Sequence, residues 1–332
     1  MLRKHVLSLV AGAGAMGALA FLLDRIGWGQ VAKILGRIGV KGSLALLAVG
    51  LAEQILDAMA ASVALPNPRK VNLLRMWAYS GIGTIVNIFI PWEAGEAAKA
   101  GLLRRHMDAR DAIAGTIIWN YLFKLSRPAT TLIAAIVGWL GVSVVPQSFS
   151  KMVVIASIAG FAPYLIFKLL LRFGFGEISV GLLTWLRIIR RNPNTWMAGA
   201  RDVDRHVQTF AKQRPFAYAQ VVLLQMAARV TAWASFSVAL TAIGADYELA
   251  TVAMIYAAYS MANYVMMVIP ARIGVGETVG FFVFQAMGLD PTVGTLVILV
   301  LRIKAIVSSA IAAGFGPWLG GPTDKATTNP LP

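Results

Sequence analysis

The sequence predicts an all-α, polytopic membrane protein built from two inverted-topology repeats, each containing a re-entrant helical hairpin. Three observations lead there. A chain of 332 residues that is 58% hydrophobic and only 14% charged is too apolar for a soluble globular protein, and several apolar runs approach the roughly 20 residues that cross a bilayer. Two of those runs are broken by residues foreign to an ordinary spanning helix: Ile90-Pro91-Trp92-Glu93-Ala94-Gly95-Glu96 and Ile269-Pro270-Ala271-Arg272-Ile273-Gly274-Val275-Gly276-Glu277. The two breaks also coincide when the chain is shifted by 179 residues. Pro91 then falls on Pro270, Gly95 on Gly274, and Asp111, Gly115 and Thr116 on Asp290, Gly294 and Thr295.

Taken in order, Val6 to Leu23 reads as a first, uncleaved span, its basic start holding the N-terminus in the cytoplasm. Asp24 to Lys41 carries Lys33, Arg37 and Lys41 among apolar residues, like an amphipathic helix at the membrane surface. Gly42 to Leu65 is a second span, with Glu53 and Asp57 one turn apart on one face. Pro66 to Lys70 is a basic turn. Met76 to Ile90 is about 22 Å of helix and Glu96 to Arg105 about 15 Å, at 1.5 Å per residue. Neither arm spans a core of about 30 Å. Both outer ends are basic, with Arg69, Lys70 and Arg75 before and Arg104, Arg105 and Arg110 after, so the pair reads as a hairpin that returns to the cytoplasmic side.

Asp111 to Pro146 is a long apolar region interrupted at Lys124, Arg127 and Pro128, which fits one broken crossing or two short ones. Met152 to Leu171 follows, with Pro163 expected to kink it; Gly176 to Ile189 fits a short span or an interfacial helix. A basic cytoplasmic linker runs over about 187–214. Phe216 to Ile243 is a span, and Ala250 to Ile269 and Glu277 to Met287 are the arms of the second hairpin. Pro291 to Phe315 is the last span. The expected organisation is one transmembrane domain over 1–318, with repeat A at about 42–127, repeat B at about 220–316 and a disordered tail at 319–332.

Charge orients the halves. The mouth of the first hairpin is rich in Arg, while that of the second carries Asp246, Glu248 and Asp290. By the positive-inside rule the first opens to the cytoplasm and the second to the outside, an arrangement shared with many transporters. The formal charge of +15 lies beside hydrophobic segments, which fits anionic lipid headgroups better than nucleic acid. Without cysteine there are no disulfides, thiol catalysis or cysteine metal sites. His5, His106 and His206 show no ligand spacing, so neither metal nor cofactor is expected.

Pro91, Gly95, Pro270, Gly274 and Gly276 are expected to make the hairpin turns. Glu93, Glu96, Arg272 and Glu277 lie at or beside the tips, where a glutamate either caps the following helix or serves a site. Lys124 and Arg127 correspond in depth to Arg302 and Lys304. Cations at mid-span need a carboxylate partner or an anionic ligand, and Glu53, Asp57, Glu93, Glu96 and Glu277 are the internal partners at hand; Arg229 joins this set. Tyr256, Tyr259, Asn263 and Tyr264 on one hairpin, and Tyr79 and Asn87 on the other, read as packing or interfacial anchors. No nucleophile–base set stands out, so no catalytic residue is assigned.

Asn87-x3-Pro91-x3-Gly95-Glu96, followed by Leu102-Leu103-Arg104-Arg105, and later Pro270-x3-Gly274-x-Gly276-Glu277, resemble the transmembrane region of lysylphosphatidylglycerol synthases and its stand-alone flippase-like relatives. The resemblance runs from the second span to the last. It implies a bacterial inner-membrane protein, with both termini cytoplasmic, that moves an anionic or modified lipid between leaflets without an attached synthase domain. The family often carries a Glu-Arg pair where this chain has Asn120 and Tyr121; Lys124 is the nearby substitute. The expected function is therefore a lipid translocase whose partner is membrane lipid. An integral-membrane lipid-modifying enzyme and a non-transporting scaffold for envelope-lipid (for example hopanoid) biosynthesis are the alternatives, and a homo-oligomer or membrane-protein partner is left open.

Overall fold

A computed structural model describes residues 28–89, 94–142, 145–186, 193–265 and 275–316. All regular structure among them is helical. The expected first span Val6–Leu23 and the tail lie outside the described residues, as do Pro91, Glu93, Pro270, Arg272 and Gly274.

Helix α1 (Trp28–Ala64) holds both the expected surface helix and the second span, and Gly39 divides them with φ 67° and ψ 176°. That left-handed backbone suits glycine alone among ordinary residues. Pro66 to Lys70 makes the expected turn, closing in a short 3-10 helix over Pro68–Lys70. Asn72 then accepts the Arg75 N–H at 2.8 Å, capping α2 (Leu73–Phe89). α3 (Ala94–Leu103) runs back along α2, with Gly95 against Asn87 and His106 against Tyr79.

The region after it is one helix, α4 (Ala109–Gly141), with Pro128 inside. At 33 residues it is about 50 Å long, so the choice between one crossing and two resolves to a single element. Pro128 removes the N–H that would reach the Lys124 carbonyl. The Thr130 and Thr131 hydroxyls donate to the Ser126 and Arg127 carbonyls at 2.8 and 2.9 Å, supporting the turn around it. α5 (Gln147–Ala159) and α6 (Ala162–Arg172) are separated at Gly160 and Phe161. The expected kink at Pro163 is therefore displaced: the proline lies in the first turn of α6, where its missing N–H costs nothing. α7 (Phe175–Trp185) is a short helix laid on α8 (Pro193–Gln213). Buried Asp204 of α8 accepts the Gly176 N–H at 2.9 Å and the Glu177 N–H at 3.2 Å, and Arg201 pairs with Glu177.

The last four helices are α9 (Pro215–Ala242), α10 (Leu249–Val265), α11 (Val275–Ala286) and α12 (Pro291–Gly314). Asp290 caps α12 by accepting the Thr292 N–H at 2.8 Å, with Pro291 at the first helical position. Four described segments are long and apolar enough to cross a membrane: Ile38–Ala64, Gln147–Arg172, Pro215–Ala242 and Pro291–Gly314. Large apolar side chains such as Leu140, Ile155, Leu165 and Leu223 point outward. A water-facing surface would not carry so many; a lipid-facing one requires them. The chain is a multi-pass membrane protein.

α1 and α9 lie side by side at the centre. α10 packs on α4 and α2 packs on α12, while α3 lies against α4 and α11 against α12. Three of these crossings are close enough to need glycine, among them that of α11 and α12 through Gly280 and Gly294. A Cβ on Gly138 would stand 2.9 Å from the Met254 backbone nitrogen, and one on Gly81 2.9 Å from the Ala313 nitrogen. The largest apolar core lies beside them, built on α4, α9, α10, α11 and α12 around Leu240, Met254, Phe284 and Met287.

Gly138→Val is therefore expected to force α4 and α10 apart and to cost about 1–3 kcal/mol. Thermal unfolding of the purified protein in detergent checks it, with Gly101→Val, which meets open space, as the comparison that should lose far less.

Candidate functional site

The centre of the bundle holds charge. On α1, Glu53 and Asp57 face α9 and α12. Lys304 donates to Glu53 at 2.8 Å and to the Ser235 hydroxyl at 3.0 Å; Arg229 donates to Asp57 at 2.7 Å and lies 3.5 Å from Glu53. The side chains of all four residues are largely buried. Away from water each charge carries a desolvation cost of several kcal/mol, and only a close opposite charge offsets it. This constraint aligns α1, α9 and α12. Next to it the Gln54 amide sits 3.0 and 2.8 Å from the Ser308 and Ser309 hydroxyls. A Cβ at Gly50 would approach the Lys304 stem at 3.0 Å, so the glycine leaves the lysine room to lie between helices.

Beside this network opens a cavity of about 430 Å³, within the size range of small-molecule sites. Its walls come from α1, α2, α4, α9, α10, α11 and α12, so both hairpins and their flanking spans contribute. Glu53, Arg127, Arg229, Arg302 and Lys304 are its charged residues. Glu277 pairs with Arg302 at 2.6 Å. Counting Asp57 and Glu277 as partners, four cations face three carboxylates among the described residues. Arg127 makes the difference. Among the described residues no carboxylate comes within 4.0 Å of it; its guanidinium lies 4.4 Å from the Tyr264 ring and 5.9 Å from that of Phe123. Asp57 Oδ1, Arg229 Nε and the Tyr264 hydroxyl are buried without a hydrogen-bond partner among the described residues. Such atoms cost about 1–3 kcal/mol each when left dry, so this space suits water or a polar ligand.

Gly95 and Gly276, expected in the hairpin turns, lie instead within the first turns of α3 and α11. Gly95 lies in the first turn of α3 and donates its N–H to Asn87 Oδ1 at 2.7 Å. One orphan amide of the α3 N-terminus is thereby satisfied from the opposite arm. A Cβ there would stand 1.9 Å from the Gly83 carbonyl oxygen and 2.7 Å from the same amide group, so only glycine allows this approach of α3 to α2. Gly276 sits in the first turn of α11 on the cavity wall, where a Cβ would meet Arg302 at 2.9 Å and the Tyr259 hydroxyl at 3.3 Å. It gives the arginine clearance.

Other expected residues are placed elsewhere. Glu96 forms an ion pair with Lys99 at 2.6 Å, and Lys99 lies 3.8 Å above the Trp119 ring, away from the cavity wall. Lys124 donates to Asn120 at 2.5 Å and lies 5.4 Å from the Phe167 ring of α6, so its neighbours differ from those of Arg127 and it is not on the cavity wall. Lys99 was not foreseen, although its spacing of three from Glu96 on a helix is a readable signal. Tyr256, Tyr259 and Asn263, taken as packing or anchors, line the cavity with Asn87, Ser260 and Thr84; nothing local distinguishes them from anchoring residues. Among the described residues no three His, Cys, Asp or Glu groups converge as a metal site.

At the outer end of the first hairpin, Tyr79 and His106 Nε2 are 2.8 Å apart. Partial burial, together with Arg75 and Arg105, pulls the His106 pKa below its usual 6.5.

A family model described as Lysylphosphatidylglycerol synthase TM region matches residues 6–312. No curated protein and no solved structure matches the chain.

Two outcomes follow from this geometry. Arg229→Met leaves Asp57 buried without its cation and is expected to lower stability by about 3–5 kcal/mol. The double variant Arg229→Met/Asp57→Leu should recover a large part of that loss, giving a favourable coupling in a thermal-unfolding mutant cycle. Because the folded pKa of His106 is depressed, the unfolded chain binds the extra proton. Its contribution is full above about 6.5 and is lost as pH falls through the folded value. Hydrogen exchange in α3 should rise on acidification in the natural protein and lose that dependence in His106→Phe.

Proposed function

Because this chain belongs to the lysylphosphatidylglycerol synthase transmembrane-region family, we propose that it carries an anionic phospholipid between the leaflets of a bacterial inner membrane, using the central cavity as the headgroup site. The observation that carries this reading is the charge of the cavity: among the described residues four cations face three carboxylates, with Arg127 resting on aromatic rings. A phosphate headgroup supplies the missing negative charge, and charge-assisted bonds to it are worth about 1.5–3 kcal/mol each. The family places the protein in lipid-related processes; translocation is the step that the cavity supports.

The helix pairing supports an inverted repeat as the device. α1 lies on α9, and the contact of α4 with α10 has its counterpart in α12 with α2. In the same way α3 on α4 matches α11 on α12, and α4 on α9 matches α12 on α1. Exchanging the halves thus preserves the packing, which fits the offset of 179 residues between Pro91 and Pro270. With the first hairpin opening to the cytoplasm and the second to the outside, the cavity lies where the two re-entrant arms meet, as in alternating-access transporters. The headgroup is drawn first to Arg127. It then competes with Glu277 for Arg302 and with Glu53 for Lys304, so the cations exchange one anion for another. The acyl chains stay in lipid. No covalent bond changes.

Reconstitution in liposomes with fluorescent lipids and an outer-leaflet quencher tests it. Labelled phosphatidylglycerol should cross faster than labelled phosphatidylcholine. Arg127→Gln should slow it roughly tenfold to a hundredfold, the equivalent of one such bond. An absence of anionic-lipid movement, or an unchanged rate in Arg127→Gln, overturns the proposal.

A further inference from the structure

A second cavity of about 430 Å³ lies away from the first, between α4, α6, α8 and α9. It shares no wall residue with the central one. Three tyrosines meet in it, one from each of α4, α6 and α9. The Tyr121 hydroxyl donates to that of Tyr164 at 3.0 Å, their rings stack with centroids 5.0 Å apart, and Tyr218 bonds to Tyr164. Lys168 and Arg172, one turn apart on α6, complete the polar wall. Among the described residues neither has a carboxylate within 4.0 Å. The floor is apolar, with buried Leu171 and Phe210. On the outward side of the same helix, Leu165, Ile166 and Leu169 are 58, 58 and 54% exposed, a stripe suited to acyl chains.

We infer that this cavity holds the headgroup of a resident anionic glycerophospholipid, distinct from the transported one. Two cations at helical spacing, with no carboxylate within 4.0 Å among the described residues, match a phosphate, and the one phenol proton left over from the bonds among the three tyrosines donates to it. Tyrosine beside basic residues is the pairing expected at a membrane interface. A soluble anion would use the charges but leave the apolar floor and the outward stripe uncovered, so the occupant carries tails. α8 supplies part of the wall and is otherwise an amphipathic helix seated through Val203, Val207 and Phe210. Lipid in the cavity therefore joins α8 to the transmembrane helices, and its binding stabilises the folded protein by mass action. This site does not depend on the proposed transport.

The test follows thermal unfolding of the purified, delipidated full chain in detergent while phosphatidylglycerol, phosphatidylcholine or inorganic phosphate is titrated in. Phosphatidylglycerol should raise the unfolding temperature, and the concentration for half of the rise should increase at least tenfold in Lys168→Gln/Arg172→Gln. Arg127→Gln, in the central cavity, should leave that concentration unchanged. The inference is overturned by equal stabilisation with phosphatidylcholine, which would mark an apolar groove. It is equally overturned by the same effect from inorganic phosphate, by a loss in Arg127→Gln matching that of the double variant, or by no loss in the double variant. Tyr164→Phe removes one hydroxyl and keeps the ring; a weakening of about threefold is expected there, and it serves as the second variant if the double one fails to fold.

Discussion

The cost of holding charge away from water governs this structure. Glu53, Asp57, Arg229 and Lys304 would each be prohibitive alone between apolar helices. Together they form a chain of contacts from 2.7 to 3.5 Å that joins α1, α9 and α12. Apolar packing between lipid-immersed helices discriminates weakly among partners, because lipid tails are as apolar as leucine. Ion pairs discriminate strongly. The central pairing of α1 with α9 is therefore specified by charge, with the Gln54 contact to Ser308 and Ser309 adding a polar clasp to α12.

The same constraint bears on the helix starts of α3 and α11. A continuous helix presents no spare backbone donors at mid-length, whereas a helix that starts there presents several. At α3 one of those donors is taken by Asn87, and Glu96 in the first turn is taken by Lys99. At α11 the acidic residue of the first turn reaches across to Arg302, over the gap that Gly276 leaves. The two helix starts thus differ: that of α3 is satisfied by Asn87 and Lys99, and that of α11 pairs with Arg302 on the cavity wall.

Pairings of this kind also limit how the protein can move. Separating Arg302 from Glu277, or Lys304 from Glu53, leaves two largely buried charges uncompensated, which holds α12 to α11 and to α1. The second cavity lacks this internal compensation: Lys168 and Arg172 stand beside neutral hydroxyls. The two sites thus differ in kind: in the central cavity every cation but Arg127 meets a carboxylate, whereas Lys168 and Arg172 meet none among the described residues.

Much of this was legible in order along the chain. Helical class, the boundaries of α1, α2, α9 and α12, and the presence of charge within apolar segments follow from hydrophobic run length and from where proline, glycine and charged residues interrupt it. Those are local properties. The continuity of α4 through Pro128 was not legible, because Thr130 and Thr131 support the backbone there and propensity alone argues for a break. Lys124 and Arg127, three residues apart, look equivalent in sequence yet meet different neighbours. Partner choice was decided only by the tertiary structure: Lys304 meets Glu53 across 251 positions, and Arg229 meets Asp57 across 172. The sequence by itself determined that buried cations would need anions, since desolvation leaves no other solution. Which anion each one finds, and that Arg127 is left facing aromatic rings, depends on the crossing of helices far apart in the chain.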